Sequence, residues 1–141
     1  MHHADKKIRD VMTPNPRTIE PSTPIVEAAR LMRDQDVGPL PIVEGDRVVG
    51  ILTDRDIVVR AIADGKDPQS TTARDVASKQ LITVDPEQTL DEATKLMAKH
   101  QVRRLPVCEE DGRIVGIVAQ ADIAIEAPAQ EAGRVVEEIS K

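Results

Sequence analysis

The stretch Val49-Gly50-Ile51-Leu52-Thr53-Asp54-Arg55-Asp56-Ile57 returns further along the chain as Val115-Gly116-Ile117-Val118-Ala119-Gln120-Ala121-Asp122-Ile123, with most of its pattern kept. The triplet Arg9-Asp10-Val11 likewise returns as Arg74-Asp75-Val76. A repeat of this length is a supersecondary unit that buries its apolar face by stacking on a second copy. The sequence therefore predicts two copies about a pseudo-twofold axis. Matching clefts between the halves are then the place to seek function.

The register between the two copies holds along their whole length. The matched pairs are Thr18/Thr83, Pro21/Pro86, Glu27-Ala28/Glu92-Ala93, Leu31-Met32/Leu96-Met97, Val37/Val102 and Leu40-Pro41/Leu105-Pro106. One extra residue near Gly112 then moves the offset by one position. We expect one domain over residues 8–65, a polar linker over 66–72, a second domain over 73–126 and a C-terminal tail over 127–141.

The composition excludes several classes of protein. The 141 residues are 40% hydrophobic but include no Phe, Trp or Tyr, so the core must be aliphatic. The single Cys108 excludes an internal disulfide. A formal charge of −6 without a Lys/Arg-rich run argues against nucleic-acid binding. Because no apolar run is long enough for a bilayer and no signal-peptide pattern is present, we expect a cytoplasmic protein without a membrane partner. His2-His3 is either native or an expression remnant.

The first copy reads as a short lead-in turn followed by strand, helix, strand, strand and helix. We expect a short strand over Arg17-Thr18-Ile19 and a helix with Thr23 as N-cap and Pro24 at its first position. Strands over 40–43 and 48–52 follow, joined by a tight turn at Glu44-Gly45-Asp46. A helix begins near Asp54 and stops at Gly65.

The second copy repeats this order. Thr89-Leu90-Asp91-Glu92 is a capping box, in which Glu92 stands three residues after the cap. Strands are expected over 105–108 and 113–118, with a helix from about Gln120. If the two copies pack through their sheets, four residues should be buried: Ile42, Ile51, Val107 and Ile117.

These motifs resemble those of the cystathionine β-synthase (CBS) domain family. The first copy carries Val37-Gly38-Pro39-Leu40-Pro41-Ile42-Val43 before the stretch at 50–57, and the second carries Val102-Arg103-Arg104-Leu105-Pro106-Val107 before 116–123. The lead-in Asp10-Val11-Met12-Thr13-Pro14 is also typical. The resemblance covers about residues 8–125 and points to a stand-alone bacterial CBS pair, or Bateman module.

The resemblance implies an α+β fold: tandem CBS domains, with two β-α-β-β-α repeats packed about a pseudo-twofold axis. It implies binding of adenosine-containing ligands and pairing of two modules into a flat, disc-like homodimer. The second helices should form that contact, with apolar surface from Ile57, Val58, Ile62, Ile123 and Ile125.

The first candidate site lies where a strand meets a helix. Thr53 and Asp56 are three residues apart, so both can face one cleft at the first helical turn. Helix-start N–H groups also attract polar ligand groups. The resemblance implies that the Asp56 carboxylate holds the ribose hydroxyls, assisted by Thr53. The alternative is that both residues only cap the helix. Further candidate contacts are Thr18, Gly38, Pro39, Ile51 and Arg55.

The second candidate site departs from the first. Asp122 keeps the carboxylate, but Ala119 stands where Thr53 stands, and Ile117 is the counterpart of Ile51. Arg103 and Arg104 replace Gly38-Pro39, and a basic residue there reaches a phosphate in related proteins. Arginine suits that role through its planar fork of donors. The alternative is a solvated surface pair or a cluster with a carboxylate of a dimer mate.

Three other residues have structural interpretations. Met32 and Met97 occupy equivalent apolar positions and are expected in the core. Cys108 is expected to be a small buried hydrophobe.

No catalytic or metal-ligand pattern is evident, so an enzyme and a cofactor or metal are not expected. The expected function is a regulatory sensor of AMP, ADP, ATP or a relative, read by an unknown downstream protein partner. The alternative is a ligand-independent dimeric interaction module with degenerate clefts.

Overall fold

The computed structural model describes residues 6–78 and 80–126, with side chains described up to residue 124 in the last helix. His2-His3 and the C-terminal tail lie outside these residues. The elements in chain order are a 3-10 turn at Ile8–Asp10, β1 (Thr13–Pro14), α1 (Ile25–Gln35), β2 (Pro39–Glu44), β3 (Arg47–Thr53), α2 (Asp54–Asp56) continued by a π-helix (Ile57–Ile62), α3 (Ala73–Val76), α4 (Leu90–His100), β4 (Arg104–Cys108), β5 (Ile114–Ala119) and α5 (Gln120–Glu126).

The chain divides into two compact units that are not the two sequence repeats. The central unit runs from Pro16 to Leu81, whereas the C-terminal unit joins the described residues 6–15 to residues 82–126. We call residues 8–15 the first lead-in and residues 73–78 the second lead-in. Each lead-in is therefore built into the unit formed by the body of the other repeat.

Backbone hydrogen bonds fix each lead-in in its unit. In the C-terminal unit, the Ile8 N–H donates to the Gln88 carbonyl at 2.9 Å, and the Arg9 N–H donates to the Pro86 carbonyl at 3.0 Å. In the central unit, the Ala73 N–H donates to the Thr23 carbonyl at 2.8 Å. Ile8 and Ala73 are both fully buried, so each lead-in also closes the core of its unit.

The central unit contains the antiparallel β2–β3 hairpin. Its turn includes Gly45 at φ +65°, a left-handed conformation that favours glycine. The strand expected over 17–19 is reduced to a single parallel bridge between Ile19 and Ile42. The physical reason is the following Pro21, which ends the extended segment within two residues.

The C-terminal unit has a sheet in the order β1-β5-β4. β1 pairs antiparallel with β5, placing Thr13 opposite Ile117 and Pro14 opposite Gly116. The first lead-in thus adds a strand, β1, to the edge of β5 that does not pair with β4. In the described part of the central unit, β3 is paired with β2.

Each unit has its own aliphatic core. Ile25, Leu40 and Leu52 are fully buried in the central unit, and Leu90 and Met97 are fully buried in the C-terminal unit. Met32 and Cys108 are buried, as expected.

The burial prediction for the strands is confirmed for two residues and wrong for two. Ile42 and Val107 are buried, whereas Ile51 and Ile117 are only half-buried. Side chains alternate along a strand. Because Leu52 and Val118 take the core face, their neighbours Ile51 and Ile117 lie on the other face.

One expectation about a helix start and one about a helix type need correction. Pro24, not Thr23, is the N-cap of α1, and the Thr23 hydroxyl oxygen instead accepts the Glu20 N–H at 3.1 Å. The second helix of the first repeat begins at Asp54 as expected but widens into a π-helix after one turn. The capping box of the second repeat is confirmed, with the Thr89 hydroxyl accepting from the Glu92 N–H at 3.2 Å.

The apolar surface expected on the second helices is only partly present. Val58 and Ile62 are exposed, but Ile57 and Ile123 are buried in their own units. At helical spacing, these two side chains face the sheet and not the solvent. The side chain of Ile125 lies outside the described residues.

Candidate functional site

Thr53 and Asp56 hold each other at the start of α2. The Thr53 hydroxyl oxygen accepts from the Asp56 N–H at 3.1 Å, and Asp56 Oδ2 accepts from the Thr53 N–H at 3.0 Å. This reciprocal pair is a capping box, so the capping interpretation describes the contacts seen. Asp56 Oδ1 takes no part in this box, and Oδ2 keeps a free lone pair, because each carboxylate oxygen can accept more than one hydrogen bond.

The second oxygen of Asp56 lies near a residue that the sequence analysis missed. Asp56 Oδ1 is 3.9 Å from Arg60 Nε, and the Asp56 side chain is only 14% exposed. The i,i+4 spacing of these residues is the signal that could have identified the pair. Arg60 lies on the π-helix that continues α2, one turn after Asp56, and places a positive charge beside the Asp56 carboxylate.

Gly38 lies against the same helix start. Its carbonyl accepts the Asp54 N–H at 3.0 Å, and a Cβ at Gly38 would lie 3.3 Å from Asp54 Oδ1. Pro39 pairs with Thr53 across the β2–β3 ladder. The structure therefore brings Gly38, Pro39, Thr53 and Asp56 together at one end of the hairpin.

The other first-site candidates are less closely tied to this group. Ile51 lies on the same face of β3 as Thr53, two residues earlier, and is half-buried. Thr18 is half-buried on the segment before Ile19, and Arg55 is exposed on α2.

The second repeat builds half of the same arrangement. Asp122 Oδ2 accepts the Ala119 N–H at 2.9 Å. Ala119 has no hydroxyl, so the second hydrogen bond of the box, in which Thr53 accepts from the Asp56 N–H, has no counterpart here. The Gln120 N–H donates to the Arg103 carbonyl at 2.8 Å, as Asp54 does to Gly38. The structure thus places Asp122 and Arg103 at the same helix start.

The remaining second-site candidates lie on the adjoining strands. Arg104 pairs with Ala119 in the β4–β5 ladder, and the side chains of Arg103 and Arg104 are both exposed. Ile117 is half-buried on β5. Gln120, which the sequence analysis did not single out, has a buried Oε1 without a hydrogen-bond partner among the described residues.

The titration behaviour of three groups follows from their surroundings. Burial raises the pKa of the Cys108 thiol to about 11. The pKa of Glu92 is lowered by a hydrogen bond from the Gln88 side chain and by the Thr89 N–H. The pKa of Asp75 is lowered by the Thr72 N–H, which the carboxylate accepts at 3.0 Å. None of these three residues belongs to the two candidate sites.

The described residues hold neither a cluster of metal ligands nor a helix that could cross a membrane. Over residues 6–78 and 80–126, no three His, Cys, Asp or Glu side chains are grouped so as to hold a metal ion. The helices of the described chain are also too short or too polar to span a membrane.

At Thr53-Asp56 the group available to a ligand is the Asp56 carboxylate, a hydrogen-bond acceptor that is largely buried. A carboxylate accepts hydrogen bonds and cannot donate them when ionised. Since the backbone already orients Asp56, a ligand hydroxyl or N–H that approaches Oδ1 meets an acceptor whose position is fixed. Such an arrangement selects for donors, and sugar hydroxyls are one class of donor.

Comparison with known proteins gives a consistent result. The model of the CBS domain family matches the chain twice, over residues 8–62 and 73–128. The chain is 42% identical to the CBS domain-containing protein YhcV of Bacillus subtilis over 134 residues, which is 94% of each protein. It is also 42% identical to hypoxic response protein 1 of Mycobacterium tuberculosis over 121 residues, or 85% of this chain and 84% of that one.

Two solved structures extend the comparison. The crystal structure of hypoxic response protein 1, with two coordinated zinc ions, has a TM-score of 0.78 at 41% identity and covers 85% of this chain and 98% of that one. The CBS domain pair of protein MJ0100, in complex with 5′-methylthioadenosine and S-adenosylmethionine, has a TM-score of 0.78 at 28% identity and covers 92% of this chain and 98% of that one. A CBS pair is a Bateman module, a type of domain that is typically regulatory. The chain therefore belongs to the CBS domain family, with two CBS domains in tandem.

Proposed function

We propose that this CBS pair is a regulatory module that binds an adenosine-containing ligand, with the ribose held by Asp56. The observation that carries the proposal is the position of the Asp56 carboxylate, which is fixed by the Thr53 N–H and largely shielded from solvent. A hydrogen bond to a fixed, shielded carboxylate is stronger than one to a mobile, solvated carboxylate.

The similarity to MJ0100 supports the choice of ligand class. That protein's CBS pair is in complex with two adenosine-containing molecules and shares the fold of this chain. With no aromatic side chain in the sequence, an adenine ring here would pack between aliphatic side chains and backbone. Half-buried Ile51, on the same face of β3 as Thr53, is suited to that contact.

The second site is proposed to serve the phosphate more than the sugar. Asp122 retains its bond to the Ala119 N–H, but the hydroxyl is missing. Arg103 and Arg104 are both exposed, and their backbones contact the same helix start at Gln120 and Ala119. A ligand with phosphate groups would gain charge-assisted hydrogen bonds from them.

The test is a dye-monitored thermal-shift screen followed by calorimetry on the intact protein. The ligands are adenosine, AMP, ADP, ATP, S-adenosylmethionine and 5′-methylthioadenosine. We expect Asp56→Ala to weaken binding by about tenfold or more, since a lost bond to a charged group costs about 1.5–3 kcal/mol.

Asp75→Ala is the matched control. Asp75 accepts the Thr72 N–H at 3.0 Å in a capping box of the same unit, so its removal has a comparable effect on a helix start. Ligand affinity should be unchanged in this variant. Equal losses in both variants, or normal binding after Asp56→Ala, would show that the ribose is not held by Asp56.

A second candidate function is a ligand-independent interaction module. Val58, Val59 and Ile62 are exposed at 59%, 50% and 53%, and all three lie on one π-helix. Contiguous exposed apolar side chains of this kind mark interaction surfaces. If none of the adenosine compounds binds while the protein self-associates, this candidate replaces the sensor.

A further inference from the structure

A hollow of about 290 Å³ lies in the central unit between the β2–β3 hairpin and the second lead-in. Ile42 and Val49 line it from the hairpin, and Ala77 lines it from the lead-in. We call it the Ala77 hollow. It is separate from the proposed ribose site, because Glu44 at its rim belongs to the turn end of the hairpin, whereas Thr53 belongs to the opposite end.

The C-terminal unit shows what occupies the equivalent space there. Met12 is the counterpart of Ala77 in the repeat, and its side chain packs on the core of its unit. A Cβ built at Gly116 would lie 2.6 Å from Met12 Sδ and 2.9 Å from the Thr13 carbonyl. A Cβ built at the equivalent Gly50 would approach only Ile42, at 3.5 Å.

The exposure of the valines that precede these two glycines differs in the same way between the two units. Val115 packs against the core of the C-terminal unit, whereas its counterpart Val49 is 44% exposed. The exchange of methionine for alanine therefore leaves space unfilled beside an exposed valine. An unbranched thioether or alkyl chain is the shape that fills this space in the other unit.

The rim of the Ala77 hollow carries one charge of each sign. Arg74 Nη2 donates to Glu44 Oε1 at 2.7 Å, and the two side chains are 69% and 56% exposed. Such exposed ion pairs contribute little to stability and exchange readily for other partners. A ligand that brings its own carboxylate and ammonium group can therefore insert between them without leaving either charge unpaired.

We propose that the Ala77 hollow binds a free α-amino acid with an unbranched apolar side chain, such as methionine. The side chain lies on Ile42 and Val49 beside Ala77, in the position that corresponds to Met12. The α-carboxylate accepts hydrogen bonds from Arg74, and the ammonium group donates to Glu44. A nucleotide is disfavoured here, because its phosphates would meet the Glu44 carboxylate.

The experiment is a titration of isotope-labelled protein with L-methionine, followed by NMR of the backbone amides and methyl groups. Saturable shifts are expected at Val49, Ile42 and Ala77. Methionine amide and N-acetylmethionine each lack one of the two charges, so each should bind at least about tenfold more weakly. Isoleucine, which is branched at Cβ, should also bind more weakly than methionine or norleucine.

Two variants test the location. Ala77→Met supplies the missing side chain from within and should abolish binding, whereas Ala29→Met, at an exposed position of α1, should not. Arg74→Ala should weaken binding about tenfold, and Arg33→Ala, which removes an exposed arginine from α1, should leave it unchanged. If Ala77→Met fails to fold, the Arg74 pair of variants still decides the question.

The proposal is overturned if methionine causes no saturable shifts, or if Ala77→Met and Arg74→Ala bind it as the unmodified chain does. Equal binding of methionine and its amide would also overturn it, because the carboxylate contact would then be absent. Because the adenosine screen reports on Asp56 and this titration on Ala77 and Arg74, either proposal can fail without the other.

Discussion

Cys108 combines burial with a thiol that resists ionisation. Cys108 is 6% exposed, and burial raises the pKa of its thiol from 9.0 to about 11. The thiol is therefore protonated in the folded protein at pH values where the unfolded chain already forms thiolate. As pH rises through this range, ionisation favours the unfolded chain, and stability falls.

We predict that this loss of stability depends on Cys108. Urea unfolding followed by far-ultraviolet circular dichroism should show a fall in the free energy of unfolding between pH 9 and 11. In Cys108→Ala that fall should be smaller, although the variant starts from a lower stability because of its cavity. Equal slopes against pH in the two proteins would contradict the prediction.

Arg103 and Arg104 allow a prediction about ligand selectivity. If they contact a phosphate, changing both to Ala should weaken AMP, ADP or ATP by about tenfold or more and leave adenosine nearly unaffected. Calorimetry on the double variant measures both affinities. Arg33→Ala is the control for general loss of positive charge. Equal effects on adenosine and AMP would assign the two arginines to a protein surface instead.

The candidate site was predictable from the sequence only where the signal was local. The spacing of Thr53 and Asp56 gave both the capping and the ligand interpretations, and the structure supplies the capping bonds. Arg60 and Gln120 were missed. The i,i+4 spacing of Arg60 and Asp56 could have indicated that pair, whereas the burial of the Gln120 amide oxygen is not encoded in a short motif.

The two strand glycines occupy equivalent positions but tolerate different changes. Gly116 is covered by Met12 and Thr13, whereas Gly50 meets only Ile42 at an ordinary contact distance. We predict that Gly116→Ala lowers the free energy of unfolding by about 1–3 kcal/mol through overpacking. Gly50→Ala should change it by no more than about 0.5 kcal/mol.

Urea unfolding followed by circular dichroism measures both changes. The two variants are matched, since each adds one methyl group to the same position of the repeat. If Gly116→Ala proves as harmless as Gly50→Ala, then Met12 and the first lead-in move aside without cost.

The bounds of the helices and strands were more predictable from the sequence than the face that each strand turns to the core. Strand bounds and the capping box at Thr89 follow from alternation, turn glycines and side-chain spacing, all of which act within a few residues. The burial of Ile51 and Ile117 was predicted wrongly because alternation defines two faces without stating which one meets the core. The π-helix after Asp56 was also unforeseen, since apolar spacing in a single turn fits both helix types.

The exposed π-helix surface leads to a prediction about assembly. We expect the whole protein to form a homodimer in which Val58, Val59 and Ile62 are covered. Ile62→Asp should weaken the dimer by at least about tenfold, because it places a charge in an apolar contact. Sedimentation velocity over a range of protein concentrations measures this effect.

Leu81→Asp is the control, because Leu81 is an exposed apolar residue elsewhere in the central unit, at 37% exposure. A monomeric native protein, or a dimer that both variants weaken equally, would contradict the prediction.

The exchange of lead-ins sets an order of events during protein synthesis. All segments of the central unit are contiguous in the chain, so this unit can form soon after Leu81 leaves the ribosome. The C-terminal unit needs segments that lie far apart in the chain, because Ile8 is buried in the same core as Leu105 and Ile123. Ile8 must therefore stay uncovered until the chain as far as Ile123 has been made. This interval is when the nascent chain most needs a chaperone.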